Sequence, residues 1–121
     1  MRLRFLAAGA LLVANALLMA AKADGDFMSV ESLVPGCRDI IEDGRGTSEF
    51  VQGLCAGEVS ATWSLLQDLN LVCGPAGASA NDALIVVLSY TLSRPDRRGT
   101  RFAALVVEAL RTAWPCPQSN G

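Results

Sequence analysis

Four cysteines, Cys37, Cys55, Cys73 and Cys116, constrain what this chain can fold into more than any other feature. No two stand close enough for a C-x-x-C pair, and there is no histidine. Zinc sites draw ligands from such close pairs and rapid thiol exchange needs a neighbouring thiol, so the spacing argues against both metal and redox roles. An even cysteine count in a short exported domain points to disulfides. The start of the chain reads as an export signal: Arg2 and Arg4 precede an apolar run from Phe5 to Met19, and Ala21-Lys22-Ala23 supplies the small residues of a peptidase site that cuts between Ala23 and Asp24. The run is short of the roughly 20 apolar residues of a membrane span, which disfavours an uncleaved anchor. No cysteine follows it until Cys37, so no thiol waits at the cleavage point for a lipid.

The expected organisation is therefore a signal peptide over residues 1–23 and one domain over 24–121. Removing Arg2, Arg4 and Lys22 takes the basic count from 10 to 7 against 12 acidic residues, a net charge near −5. That balance argues against nucleic acid or an anionic membrane as partner, since both require clustered positive charge. A domain of 121 minus 23, or 98, residues has a modest core, and covalent cross-links add to its margin of stability.

Breaks at Gly44-Arg45-Gly46, Gly74-Pro75-Ala76-Gly77 and Arg94-Pro95-Asp96 divide the domain into four segments with helical patterning. The first is expected over about 28–43, with Ser29 as a cap and Leu33, Cys37, Ile40 and Ile41 at helical spacing, kinked or interrupted at Pro35-Gly36. The second covers about 48–70, capped by Thr47 or Ser48, with an apolar face of Phe50, Val51, Leu54, Cys55, Val59, Leu66 and Leu69. Gly53, Gly57 and Ala61 recur every four positions on it and predict a smooth stripe for close packing against a neighbouring helix in the core. The third, over about 79–92, opens on a capping box from Ser79 to Asp82; its β-branched stretch favours a strand on propensity, and its cap and length favour a helix. The fourth covers 102–114, with Phe102, Leu105, Val106, Ala109, Leu110, Ala113 and Trp114 in register before Pro115.

Four helices with short connections imply an all-α, four-helix antiparallel bundle, and helix levels then select the disulfide pairing. Cys37 lies eight residues before the first turn at Arg45 and Cys55 ten after it, placing them about 12 and 15 Å down adjacent helices. Cys73 and Cys116 follow the ends of the second and fourth helices, which share a pole. The other pairings span most of a helix, far beyond the reach of roughly 7 Å. The expected bridges are Cys37 with Cys55 and Cys73 with Cys116.

Several segments together carry a resemblance: Leu33-Val34-Pro35-Gly36-Cys37, Gly53-Leu54-Cys55-Ala56-Gly57, Cys73-Gly74-Pro75-Ala76-Gly77-Ala78-Ser79, Arg94-Pro95 and Ala109-Leu110-Arg111-Thr112-Ala113-Trp114-Pro115-Cys116. As a set this resembles the Tai and Rap family of type VI secretion amidase immunity proteins, across essentially the whole mature domain. The resemblance implies a periplasmic, disulfide-containing helical protein, commonly a homodimer, that blocks a cell-wall amidase effector. The alternative from another class is a periplasmic stress or assembly factor such as an acid-stress chaperone, disfavoured by a mature chain with no lysine and short ends.

The turn from Arg94 to Arg101 holds four of the seven mature arginines, and Arg94, Asp96, Arg97, Arg98 and Arg101 are the candidate partner-binding residues. Arginine suits an interface because its planar fork pairs with carboxylates and stacks on rings; the competing reading is a solvated turn in which Arg94 offsets a helix dipole. Trp114, on the apolar face, is expected in the core, and Trp63, off the main stripe, at a second helix contact or a dimer surface. Asp39, Glu42 and Asp43 read as a solvated face. No histidine, free thiol or clustered nucleophile and base stands out, so neither catalysis nor a cofactor is expected.

Overall fold

Serine hydroxyls begin three of the helices. Ser29 accepts from the Ser32 amide, Ser48 from Val51 and Ser79 from Asp82, each at the point where a helix has amides without an internal acceptor. The computed structural model describes residues 27–118; the leader over 1–23 and the Ala23–Asp24 cleavage point lie outside the described residues. Within them the chain forms α1 (Val30–Glu42), α2 (Glu49–Asp68), α3 (Ala80–Ser93), a 3-10 turn at Pro95–Arg97 and α4 (Phe102–Ala113), and no strand among the described residues. The β-branched third segment is helical, and its capping box is complete: the Asp82 carboxylate accepts from the Ser79 amide at 2.8 Å and the Ser79 hydroxyl from the Asp82 amide at 3.2 Å. These bonds to Ser79 hold the Asp82 carboxyl below its ordinary range.

The core collects one face from each helix. Phe102, Leu105, Val106, Ala109 and Leu110 of α4 are fully buried against Val30 and Leu33 of α1, Val59 of α2, and Ala83 and Val87 of α3. Each large side chain so enclosed contributes about 1.5–3 kcal/mol. Both expected bridges are present, Cys37–Cys55 with Cα atoms 5.4 Å apart and Cys73–Cys116 with 4.7 Å. The first is buried in the core; the second lies near the surface, where the Cys73 amide donates to the Trp114 carbonyl at 2.8 Å.

Several details depart from expectation. Pro35 and Gly36 do not interrupt α1, which runs unbroken through both. Gly36 instead marks a close approach of α1 to α2. A Cβ there would lie 2.8 Å from Val51 Cγ1 and 2.9 Å from the Val51 carbonyl carbon and oxygen, so the bare Gly36 backbone rests on α2 one turn before Cys55. The Gly53, Gly57 and Ala61 stripe does not pack in the core: all three are exposed, nothing lies within 4 Å of a Cβ built at either glycine, and the stripe is on the face of α2 opposite Cys55, Val59 and Leu66. Phe50 and Leu69, expected on the buried face, are exposed as well. Trp114 is half-buried rather than enclosed. It covers Gly74 and sits 6.2 Å from the half-buried Trp63 ring, so the second helix contact expected of Trp63 is with the end of α4. Asp39 is not a solvated acid: its carboxylate accepts from the Thr47 amide at 2.7 Å and the Thr47 hydroxyl at 2.6 Å, fastening the α1–α2 turn.

Gly36→Ala is expected to destabilise the oxidised domain by about 1–3 kcal/mol through overpacking. Gly57→Ala is expected to be neutral or to stabilise by up to about 1 kcal/mol, because it removes backbone freedom from an exposed helical site. Urea unfolding of both variants at low protein concentration checks the contrast, and equal losses would contradict the packing described.

Candidate functional site

The first amides of α1 find their acceptors in the connection between α3 and α4. Val30 donates to the Thr100 carbonyl at 2.9 Å and Glu31 to the Arg98 carbonyl at 3.0 Å, while Phe102 donates to the Met28 carbonyl at 2.8 Å across an antiparallel bridge between Ser29 and Arg101. An arginine-rich turn is thereby tied to the bundle at both sides. Pro95 opens its 3-10 segment, where a missing amide costs nothing and the ring presets the backbone.

The structure divides the five residues singled out in this turn into two sets. Arg94 pairs with Asp96 through two bonds of 3.2 Å and lies 5.9 Å from the centre of the Tyr90 ring. The hydrogen bond to Asp96, and then the charge of Asp96, raise the Arg94 pKa, while the same bond holds the Asp96 carboxyl below its ordinary range. Arg97 reaches down to α4, donating to Glu108 at 2.8 Å, and Tyr90 donates to the other oxygen of that carboxylate at 3.2 Å. These three are thus spent on the fold. Arg98 and Arg101 are exposed and form no ion pair among the described residues.

Arg98 has a counterpart not singled out from the sequence. It lines a groove with Arg38 of α1, together with Val34, Pro35, Leu92, Pro95 and Glu31. Arg38 also lacks an ion pair among the described residues, and Leu92 is 72% exposed. The sequence held one usable signal for Arg38, a charged residue directly after Cys37 on a helix with an apolar face. Pairing it with Arg98 required knowing that α1 starts against the turn before α4. No group of acids and cysteines among the described residues could hold a metal ion, and no helix among them is long and apolar enough to cross a membrane. The groove offers two guanidinium forks beside apolar side chains.

Against known proteins, the sequence is similar to the Rap1a immunity proteins, whose family model matches residues 29–116. No curated protein and no solved structure matches it.

The two sets of arginines are expected to respond differently to truncation. Arg97→Ala should cost about 0.5–1 kcal/mol, the scale of a partly exposed pair, whereas Arg98→Ala and Arg101→Ala should fall within about 0.5 kcal/mol of the parent. Denaturant unfolding at neutral pH checks this. The Arg94–Asp96 pair carries a sign for pH. Because the folded Asp96 pKa is depressed, its contribution is present above the ordinary aspartate range and is lost as pH falls through the folded value.

Proposed function

We infer that this chain, which belongs to the Rap1a immunity protein family by a match that spans residues 29–116, protects its host by binding a secreted peptidoglycan amidase of type VI secretion and obstructing it. Membership of the family carries the immunity role and implies a protein partner; proteins of this kind are generally not enzymes. The single structural observation that best supports an inhibitory role is the tethered turn. It presents Arg98 and Arg101 from a scaffold with two disulfides, so little ordering cost is left for the binding step.

The proposed site of action is the periplasm, with residues 24–121 as the mature domain. The two disulfides support an oxidising compartment, and the amidase is the effector class that the resemblance implies. The oxidised domain is expected to bind an exported amidase encoded beside it with a Kd below about a micromolar and to stop its cleavage of purified peptidoglycan at stoichiometric amounts. Pull-down followed by a turnover assay tests this. If no exported amidase binds at micromolar concentrations, the reading fails.

A homodimer is the proposed state of the free protein. The exposed seam of α2 supports it: Gly53, Gly57 and Ala61 allow close approach of a second helix, with the exposed Phe50 and Leu65 on the same side. Phe50 is itself stacked on Phe27 at 5.8 Å. Sedimentation should show a dimer that Gly57→Leu converts to monomer with unchanged helical circular dichroism. A parent chain that sediments as a monomer at high concentration would remove the dimer and leave the immunity role untouched.

A further inference from the structure

We propose that the groove between α1 and the end of α3 is the docking site for a partner segment in which an aliphatic side chain is flanked by carboxylates. It rests on the immunity reading for the protein that carries this segment, and on the groove alone for its chemistry. The groove encloses roughly 210 Å³. Its lining includes Val34, Pro35, Pro95 and Leu92, the last at 72% exposure the most exposed of the large apolar side chains among the described residues. Such a leucine gains most from a partner that covers it with another aliphatic group.

The charges at the edges select the flanking residues of that partner. Arg38 stands on α1 and Arg98 on the facing turn, and neither forms an ion pair among the described residues. The carboxylate that shares the groove, Glu31, lies in the first turn of α1, where the helix N-terminus already favours its negative charge. Two guanidinium groups therefore outnumber one carboxylate among the lining residues. In a chain with 12 acidic and 10 basic residues, the acids in excess, such a site steers acidic segments to one place and away from the rest of the surface. Its backbone is set before binding. The Arg98 backbone is held by the Glu31 amide at 3.0 Å, and Arg38 follows the buried Cys37 of the first bridge. Planar forks so placed bind carboxylates bidentately.

The probe is a short amidated peptide alternating glutamate and leucine, with a lysine and leucine peptide as control, titrated into the isotope-labelled, oxidised protein. The glutamate peptide should shift the backbone amides of Arg38, Leu92 and Arg98 saturably. Arg38→Glu combined with Arg98→Glu should weaken it by about tenfold or more, and Leu92→Ser should weaken it without changing its charge preference. Thermal melts confirm that these exposed substitutions leave the fold intact. No shift, shifts centred elsewhere, or equal response to the lysine peptide would overturn the proposal, as would groove shifts on concentrating the protein alone, which would place a second copy there. The adjacent amidase separates the two readings. If it fails to bind the parent while the glutamate peptide still fills the groove, the immunity reading falls and the groove stands; if it binds parent and doubly substituted chain equally, the reverse holds.

Discussion

The rest of the structure depends on the close approach of α1 and α2 at Gly36 and the Cys37–Cys55 bridge. Gly36 lets the α1 backbone lie directly on Val51, and the bridge one residue later holds Cα atoms 5.4 Å apart. A residue with a side chain at Gly36 would push the helices apart at the level where the disulfide needs them together. Fixing α1 in this way also fixes where its first turn points, and that turn anchors the connection before α4 through the amides of Val30 and Glu31. In the chain-entropy view, bridges with separations of 18 and 43 residues are each worth roughly 3–4 kcal/mol. That is comparable with the whole net stability of a small domain, about 5–15 kcal/mol, which is why so modest a core suffices.

The arginine turn shows how one stretch of sequence serves two ends. Arg94 and Arg97 are consumed by Asp96, Tyr90 and Glu108, and by holding those groups they keep the turn in one shape. Arg97 does so with its Nε buried and without an acceptor among the described residues. Arg98 and Arg101 can then project from a fixed backbone. The division leaves two arginines without an ion pair among the described residues while the other two preserve the frame beneath them.

Much of this was legible in the sequence. The caps at Ser29, at Thr47 or Ser48, and at Ser79 marked three helix starts, the periodicity of Phe102 to Leu110 marked the face of α4, and counting residues from the turns gave both disulfide pairs. What failed was orientation about α2. Apolar and small residues surround that helix, so Phe50, Leu69 and the glycine stripe carried no clear sign of which side faces in, and the cysteine bridge is what decides it. Asp39 and Arg38 were hidden for a related reason. One is defined by Thr47, across a turn whose geometry is not periodic, and the other by Arg98, 60 positions away along the chain, so neither partner can be read from local pattern. Trp114 lay on the predicted face but at its last position, where the helix leaves the core.

The order of the cysteines along the chain has a consequence for how the domain acquires its covalent form. The two bridges join the first cysteine to the second and the third to the fourth, so the closed loops are separate along the chain and neither contains the other. An oxidase that joins each thiol to the previous unpaired one, as the chain emerges from its N-terminal end, makes both native links at the first attempt. A chain oxidised in that order would reach its native pairing without reshuffling, since a wrong link would require a thiol to wait while its neighbour in the chain stayed unreacted.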